Sequence, residues 1–357
     1  MDHQMRIGYS FWGFLGNGVT NTPDGGRSHR RPLIEALRRG GHEPLFLQAD
    51  RDSLEAEDDI AQQYTFDAHG FPPVDALVLE WRWPIAGRNT TVCGSKGHTC
   101  DLHRQSELLK HYSLFHRLPT IIWDKDRMLP ADSSWRRARG VSVCEAALAP
   151  TPRAHRLLFP VDDALLDTAD PVRLAALPRP LTLAYVGNQY ERDNAFDRYF
   201  APAAARTDHR IAGKWTETAP WPGLRFTGRI PFSEVEQLYR GSLATVLLLP
   251  EQYAAVAQMT QRIFEAVLAG CLPLAPDTIA RVGEFVPDAL IVHDGEQVLE
   301  TLRWLRSIAG SAEHAGLIAA CLQRLDLFRL STQADALDQV LRNTARALVR
   351  RGSGAVA

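Results

Sequence analysis

The chain of 357 residues carries a formal net charge of −2 at pH 7, and 45% of its residues are hydrophobic and 23% charged. This composition is that of an ordinary globular protein, and the length predicts two domains, each with its own core. A charge balance this close to neutral excludes a global electrostatic field that would draw the whole protein to nucleic acid or to a membrane surface.

The cysteines and the apolar runs bear on the cellular compartment. The chain has five cysteines at irregular spacing, which is not the pattern of a disulfide framework and favours a reducing cytoplasm. Residues 1–6 lack the apolar segment of a signal peptide, and no apolar run approaches the roughly 20 residues of a membrane span. We therefore expect a cytoplasmic protein with no membrane span.

The N-terminal half has the pattern of a parallel sheet covered by helices. The predicted strands are residues 6–12, 43–48, 74–80, 119–123 and 141–148. Between the first two, residues 27–39 predict a helix that buries Leu33, Ile34 and Leu37. Strands that alternate with helices in this way are typical of a doubly wound α/β fold.

A glycine-rich loop, residues 13–26, separates the first strand from the first helix. Its glycines do not make the G-x-G-x-x-G motif, so a nicotinamide site is poorly supported. Gly25 and Gly26 directly precede the helix, where backbone N–H groups can approach an anion, and His29 follows in the first turn. An ordinary flexible loop is the alternative, but the length exceeds the usual two to six residues and favours a functional role.

Charged residues follow the strand at 74–80. Glu80 and Arg82 alternate with tryptophans at the carboxyl end of that strand, where open α/β sheets place ligands. A structural salt bridge under tryptophan packing is the equal alternative. Asp101 and Arg104 both lie in the first turn of a predicted helix, residues 101–115, and we expect them to face a cleft between domains.

The same region contains Cys93-x4-His98-x-Cys100-x2-His103. These are zinc-ligand residue types, but their spacing matches none of the common zinc motifs. We therefore predict no metal site here.

The next strand, residues 119–123, leads into Asp124, Lys125 and Asp126. Two carboxylates beside a lysine are suited to positioning a hydroxyl group or to stabilising a developing positive charge. The alternative is an exposed charged turn. The proline-rich segment 150–180 then predicts the boundary between the domains.

The C-terminal half restarts the sheet pattern at residues 181–186, and a polar loop with Asn188, Tyr190 and Arg192 follows at once. Further strands are predicted at residues 209–212, 224–227, 243–249, 272–275 and 289–292, and helices at residues 296–308, 312–325 and 332–350. Ser233, with Glu236 three residues later, predicts a capping box at a helix start.

The stretch from Gln258 to Pro276 contains a helix that Gly270 ends, because a helix commonly closes on a left-handed glycine. A strand follows. Glu265 is unusual here because its carboxylate stands among apolar neighbours. Complementing the helix dipole is one explanation of that carboxylate, and binding a ligand is the other.

The run Arg262-x-Phe-Glu265-Ala-x-x-Ala-Gly270-x-x-Pro resembles the signature of the nucleotide-sugar-binding domain of GT-B glycosyltransferases, nearest to the spore-maturation-protein-like branch of the glycosyl transferases group 1. The loop that contains Tyr190 and Arg192 resembles a loop of the same family. A second similar segment comprises Gly228, Pro231, Glu234, Leu238 and Tyr239.

This resemblance implies an α/β fold of two Rossmann-like domains that face each other across a cleft. Residues 1–165 would form the acceptor side and residues 166–330 the nucleotide-sugar side, and residues 331–357 would carry a helix that crosses back to the first domain.

The resemblance also implies residue roles. Glu265 would accept hydrogen bonds from the donor ribose, and Arg192 with Arg262 would neutralise the diphosphate. Asp124 or Asp126 would orient the acceptor. The remaining implied donor contacts are Gly25, Gly26, Asn188, Tyr190, Thr260 and Gln261, and the implied acceptor-side residues are His29, Glu80, Arg82, Asp101 and Arg104.

The expected reaction moves a sugar from a nucleoside-diphosphate sugar, most simply a UDP-sugar, to a hydroxyl group, with retention favoured over inversion. It requires no prosthetic group and no metal, because arginines and helix N-termini can take the place of a metal. One departure is that Ala257 occupies the position of a second family glutamate. A non-catalytic nucleotide-sugar or DNA-binding protein and a nucleotide-sugar epimerase therefore stay open.

The acceptor and the oligomeric state, monomer or homodimer, also stay open. A small molecule or glycan is one acceptor class, and hydroxymethylated bases in DNA are another. A basic rim for DNA would be formed by Arg27, Arg30, Arg31, Arg38, Arg39, Arg136, Arg137 and Arg139. A solvated arginine face is the alternative explanation of those residues.

Overall fold

The computed structural model describes residues 4–16 and 26–352, with only the backbone at Arg27, Ala56 and residues 350–352. These residues form two compact units. Unit 1 contains residues 4–16, 26–160 and 330–352, and unit 2 contains Val161–Arg329. The domain ranges expected from the sequence, residues 1–165, 166–330 and 331–357, stay a prediction.

Unit 1 is built on a sheet of seven parallel strands. The strands are β1 Arg6–Ser10, β2 Glu43–Phe46, β3 Thr65–Phe66, β4 Ala76–Glu80, β5 Thr120–Asp124, β6 Val141–Glu145 and β7 His155–Arg156. Their order is β3-β2-β1-β4-β5-β6-β7, so the direction of winding reverses between β1 and β4. Such a reversal is the point where open α/β sheets bind ligands.

Three helices of unit 1 are α1 Arg27–Arg39, α2 Arg51–Ala56 and α3 Asp101–Leu108. Helix α1 has the predicted bounds and buries Leu33, Ile34 and Leu37, as its apolar spacing requires. Helix α3 continues as a wide π-helical turn over Leu109–Phe115, and a short 3-10 turn covers Ser134–Arg137.

Unit 2 has a second sheet of five parallel strands. They are β8 Leu181–Val186, β9 His209–Ala212, β10 Ser242–Val246, β11 Leu272–Pro276 and β12 Ile291–Val292. The order β12-β11-β10-β8-β9 places the reversal between β8 and β10. The predicted strand at 224–227 is wrong, because only a single bridge joins Phe226 to Ile211.

The helices of unit 2 are α4 Asp163–Asp167, α5 Pro171–Ala175, α6 Asp193–Ala195, α7 Ala201–Ala204, α8 Phe232–Arg240, α9 Glu251–Ala254, α10 Arg262–Leu268, α11 Gly295–Ile308 and α12 Ala312–Arg324. A π-helical turn, Phe196–Phe200, joins α6 to α7, and 3-10 turns cover Val282–Glu284, Asp288–Leu290 and Leu325–Phe328.

Two predictions about this unit need correction. The capping box at Ser233 is wrong, because α8 already begins at Phe232 and its N-cap, Pro231, makes no side-chain cap. The proline-rich segment 150–180 is not a bare linker, since β7, α4 and α5 lie within it.

The end of α10 is a left-handed glycine turn, as predicted. Gly270 has φ of 74°, its N–H donates to the Val267 carbonyl, and the next N–H donates to the Ala266 carbonyl. The buried guanidinium of Arg179 packs over this glycine and donates to carbonyls at the ends of three helices: Leu174 in α5, Tyr239 and Arg240 in α8, and Ala269 after α10. A β-carbon at Gly270 would lie 2.3 Å from Nη2 of Arg179, so the turn admits only glycine without rearrangement.

The last helix, α13 Leu330–Gly352, belongs to unit 1. The Gln333 side chain accepts a hydrogen bond from the Leu158 N–H at 2.8 Å, and the Thr344 and Ser142 hydroxyls lie 2.7 Å apart. The predicted return of the C-terminal helix is confirmed, as is the α/β class with two parallel sheets. Within the described residues, no helix combines the length and the apolarity needed to cross a membrane.

Candidate functional site

Each sheet has a reversal point, and the carboxyl ends of the strands there are the expected ligand edges. In unit 2 this edge lies at the ends of β8 and β10. Arg192 follows β8 and is 7% exposed. Its Nε donates to the carbonyl of Leu248, two residues after β10, at 3.1 Å, and its Nη1 donates to the Tyr190 carbonyl at 2.7 Å and the Asn188 carbonyl at 3.3 Å. Arg192 therefore joins the two strand ends that flank the reversal.

A second guanidinium is anchored at the same edge. Arg262 is the first residue of α10, and its Nε donates to the carbonyl of Val186, the last residue of β8. A β-carbon on Gly187 would lie 2.9 Å from the guanidinium carbon of Arg262, so the glycine makes room for this side chain. Arg192 thus lies in the loop after β8 and Arg262 at the start of α10. Their side chains bind carbonyls at the ends of two neighbouring strands, β10 and β8.

Backbone carbonyls anchor both arginines, and neither has a carboxylate within ion-pair distance among the described residues. A carbonyl holds a guanidinium in place without neutralising its charge. The remaining N–H groups suit an anion with several oxygens, because guanidinium binds phosphate through paired donors.

The loops after β8 and β9 are locked to each other. The Asn188 side-chain oxygen accepts from the Lys214 N–H at 2.8 Å, and that of Gln189 accepts from the Glu217 N–H at 2.9 Å. Gly213 has φ of 135°, and a β-carbon there would lie 2.0 Å from the Gly187 carbonyl oxygen. Sequence analysis missed Gly213 and Gln189, and a glycine directly after the strand end at Ala212 was the available signal.

Helix α10 carries the other predicted donor residues. Glu265 lies one turn after Arg262, its backbone N–H donates to the Gln261 carbonyl at 3.0 Å, and its side chain is half-buried. Residues three apart share a helix face, so Glu265 and Arg262 lie on the same side. Thr260 is half-buried. Ala257 is buried in a left-handed turn with φ of 54°, an uncommon conformation for a residue other than glycine.

In unit 1 the corresponding edge contains a network of buried charged side chains around Glu80, the last residue of β4. Its side chain is 0% exposed and receives two hydrogen bonds from Arg30, both of 2.7 Å, and one of 3.1 Å from the Tyr9 hydroxyl. The ammonium of Lys125 lies 2.8 Å from the same carboxylate. Glu80 is thus paired with Arg30 and Lys125.

Arg82 is 1% exposed and is held by one terminal nitrogen, which donates to Ser10 Oγ at 2.7 Å and to the Phe11 carbonyl at 2.6 Å. Its Nε and Nη1 are buried with no hydrogen-bond partner among the described residues. Burial lowers the pKa of Arg82 to about 10, against the raising effect of the Asp101 charge. Two buried donors without a partner are costly, which makes Arg82 the strongest candidate in unit 1 for contact with a polar group.

A second network joins β5 to β6. Asp124 lies opposite Glu145 in the register and is 0% exposed, and its oxygens accept the N–H groups of Met128 at 2.9 Å and Leu129 at 3.0 Å. Burial raises the pKa of Asp124 to about 7. The Arg136 guanidinium is 3.4 Å from Asp124 but 2.7 Å from Glu145, so Glu145 holds most of its charge.

The pKa of Glu145 is shifted the other way. Burial alone would raise it, but the N–H of Thr151 and the guanidinium of Arg136 outweigh burial and lower the pKa below its ordinary value. Sequence analysis missed Glu145 and assigned Arg136 to a basic rim for DNA, whereas the structure pairs the two residues. The signal for Arg30 was stronger, because it stands three and four positions before Leu33 and Ile34 and so shares their buried face.

The other predicted residues of unit 1 occupy varied positions. Asp126 is half-buried, and His29 is buried with its ring 4.5 Å from that of Phe159. Asp101 lies 3.8 Å from Arg88. The Arg104 guanidinium donates to carbonyls of residues 67–70, including Gly70 at 2.6 Å, so it supports that loop. Gly26 precedes α1, and Gly25 lies outside the described residues.

Comparisons with known proteins bear on unit 2 and on the whole fold. Residues 192–326 match a protein family described as glycosyl transferase-like. No curated protein sequence matches the chain significantly.

Solved structures with a similar fold include T4 phage BGT in complex with UDP and Mn²⁺, with a TM-score of 0.60, 13% identity and coverage of 94% of this chain and 99% of that one. Anabaena HepE in complex with UDP-glucose gives a TM-score of 0.58 at 13% identity and covers 95% and 100% of the two chains. An alpha-glucosyltransferase in complex with UDP-glucose and DNA containing an abasic site gives 0.62 at 12% identity, also over 95% and 100%.

Proposed function

Since the chain has a glycosyl transferase-like segment within a GT-B fold, as the sequence motifs predicted, we propose that it transfers a sugar from a UDP-sugar to a hydroxyl group. The observation that carries this proposal is the pair of carbonyl-anchored guanidiniums, Arg192 and Arg262, at the reversal point of the unit 2 sheet. Negative charge grows on the diphosphate as the sugar leaves, and two cations that no carboxylate of the described residues neutralises can stabilise that charge.

Glu265 is the proposed ribose ligand. A carboxylate offers two acceptor oxygens to a vicinal diol, and a hydrogen bond to a charged group is worth about 1.5–3 kcal/mol. Its place on the Arg262 face of α10 puts ribose and diphosphate contacts on one short helix. The named ligands of the similar structures make UDP-glucose the first donor to test.

On the acceptor side we propose Asp126 as the residue that meets the incoming hydroxyl, with Asp124 as its support. The carboxylate of Asp124 binds the backbone of Met128 and Leu129, which shapes the turn that carries Asp126. The half-buried Asp126 is the more accessible of the two carboxylates.

The donor proposal is tested by calorimetry with UDP, UDP-glucose and the GDP- and dTDP-sugars. We expect UDP-glucose to bind, and Glu265→Ala to weaken it about 10- to 100-fold because the charge-assisted bonds are lost. Glu284→Ala, in an exposed pair with Arg281, is the matched control. Unchanged affinity in Glu265→Ala would remove this residue from the donor site.

Turnover separates the enzyme from the open alternatives. Slow release of glucose from UDP-glucose without acceptor indicates a working transferase site, whereas donor interconversion indicates an epimerase. Tight binding with neither reaction indicates a non-catalytic protein. Running the assay with and without Mn²⁺ tests the proposal that the arginines replace a metal.

Two acceptor classes are distinguished by separate observations. One similar structure, an alpha-glucosyltransferase, contains DNA, which favours DNA as the acceptor. Against a basic DNA rim, Arg30 is fully buried on Glu80 and Arg136 is held by Glu145. A gel-shift assay at low salt with duplex DNA containing hydroxymethylcytosine decides between them, since a DNA acceptor requires salt-dependent binding and a small-molecule acceptor requires none.

A further inference from the structure

The loop between β4 and α3 gathers four metal-ligand side chains that the proposed sugar transfer does not use. The thiols of Cys93 and Cys100 and a ring nitrogen of His98 all lie within 4.8 Å of one another. Nδ1 of His103, on the first turn of α3, lies 4.0 Å from Sγ of Cys93. The sequence spacing of these residues matches no common zinc motif, but the loop brings their side chains together.

His98 is oriented as metal-binding histidines are. Its Nδ1 lies 2.9 Å from the hydroxyl oxygen of Thr91. Its Nε2 is buried and has no hydrogen-bond partner among the described residues. When Nδ1–H donates to the hydroxyl, Nε2 carries the lone pair, which is the tautomer that binds a metal.

His103 is held more loosely than His98. Its Nε2 lies 3.8 Å from a carboxylate oxygen of Glu107, one helical turn later, which is too long for a hydrogen bond. Its other ring nitrogen, Nδ1, is the one that faces Cys93.

The backbone of the loop is shaped to bring these residues together. Ser95 N–H donates to the Val92 carbonyl at 3.0 Å, and His98 N–H donates to the Ser95 carbonyl at 2.9 Å. Gly94 and Gly97 have φ of 87° and 77°, which only glycine adopts without strain. The two successive turns fold Cys93 back toward His98.

We propose that this cluster is a structural zinc site in which Cys93 Sγ, His98 Nε2, Cys100 Sγ and His103 Nδ1 bind Zn²⁺. In a tetrahedral site with Zn–S of about 2.3 Å and Zn–N of about 2.0 Å, neighbouring ligand atoms are roughly 3.3–3.8 Å apart. The Cys93, His98 and Cys100 ligand atoms, all within 4.8 Å of one another, close to that with side-chain shifts of about 1 Å, and His103 Nδ1 approaches them from 4.0 Å off Cys93 Sγ. Two thiolates and two imidazoles select zinc over magnesium, calcium or manganese, which prefer oxygen ligands.

Four protein ligands leave no open position, so the ion is structural. It ties the loop to the start of α3, where Asp101 and Arg104 lie. The inner part of the loop is already fixed, because Trp83 packs on Trp12 with ring centroids 4.6 Å apart. The zinc site fixes the outer part, residues 91–100.

The test measures zinc in the full-length protein purified under reducing conditions, with Co²⁺ substitution as a spectroscopic readout. We expect one zinc per chain and a thiolate-to-cobalt absorption band. Both are lost in Cys93→Ala and Cys100→Ala and retained in Cys321→Ala, a buried thiol of unit 2. Zinc-free protein that also fails to take up Zn²⁺ or Co²⁺ overturns the proposal, as does zinc retained in the double cysteine variant.

A milder variant guards against misfolding. Thr91→Val removes the hydroxyl behind His98 and leaves all four ligands, and we expect zinc affinity to fall about 10-fold. Thr90→Val is its control, since the Thr90 hydroxyl donates to the Ile85 carbonyl instead. A Cys93–Cys100 disulfide that persists in the protein purified under reducing conditions, found by mass spectrometry, contradicts the zinc site.

Discussion

The cations at the two ligand edges, one in each unit, are anchored by different chemical groups. In unit 1 three cations at this edge are paired with buried carboxylates, Arg30 and Lys125 with Glu80 and Arg136 with Glu145. Arg82 is the exception, since the Ser10 hydroxyl and the Phe11 carbonyl hold it. In unit 2, Arg192 and Arg262 are held by backbone carbonyls. The carboxylate pairs of unit 1 neutralise the cations that they hold at the sheet edge. The carbonyl anchors of unit 2 leave the arginine charge available for a ligand.

The difference shows that burial of an arginine does not by itself identify a phosphate site. The identity of the anchor decides what the guanidinium can still do. A carboxylate anchor satisfies both the geometry and the charge, whereas a carbonyl anchor satisfies the geometry alone. Three predictions follow the comparison from its largest expected effect to its smallest.

Glu80→Gln tests the unit 1 edge, where a carboxylate pairs with the cations. It removes the carboxylate charge that pairs with the buried Arg30 and Lys125, and we expect a loss of about 3–5 kcal/mol in the free energy of unfolding. Chemical denaturation followed by circular dichroism measures this. Glu296→Gln, which breaks the exposed pair with Arg206, serves as the control and should cost less than about 1 kcal/mol. Equal effects from the two variants would contradict a tightly coupled network at Glu80.

Asp124 makes the stability of unit 1 depend on pH. Burial raises its pKa from 3.8 to about 7, so the folded protein binds this proton more tightly than the unfolded chain does. The resulting stability is fully present below about pH 4 and is lost as pH rises through about 7, with an upper bound on the order of 4 kcal/mol.

We expect Asp124→Asn to flatten the change in unfolding free energy between pH 4 and pH 7. Denaturation at several pH values measures the slope, and Asp132→Asn at an exposed position of the same unit is the control. A slope that persists unchanged in Asp124→Asn would assign the pH dependence to another group.

Arg262→Ala tests the unit 2 edge, where backbone carbonyls hold the arginines. Losing one charge-assisted contact to phosphate, worth about 1.5–3 kcal/mol, should weaken UDP binding about 10- to 150-fold with little change in folding. Arg206→Ala removes an exposed arginine of the same unit and should leave UDP affinity unchanged. If the two variants bind UDP equally well, the carbonyl-anchored arginines are not the diphosphate site.

The elements that local pattern controls were predictable. The bounds of α1, β8 and β9 and the glycine turn at Gly270 follow from apolar spacing and from one residue's backbone freedom. The position of Arg192 directly after a strand was also visible in the sequence.

The networks of unit 1 were not predictable in the same way. Arg30 and Glu80 are 50 positions apart, and their contact depends on the strand order and on the height at which α1 crosses the sheet. Asp124 lies opposite Glu145 because β5 and β6 pair in one particular register. The failed cap at Ser233 shows the same limit, since the chain direction set at Pro231 decided where α8 begins.

Helix α10 is short, about 10 Å for its seven residues, and it is fastened at both ends. Arg262 fastens its start to β8, and the Gly270 turn beneath Arg179 fastens its end to α5 and α8. Glu265 sits between these two attachments and cannot rotate about the helix axis without breaking one of them. A substitution of Arg179, which contacts no proposed ligand, would therefore move the Glu265 carboxylate out of position.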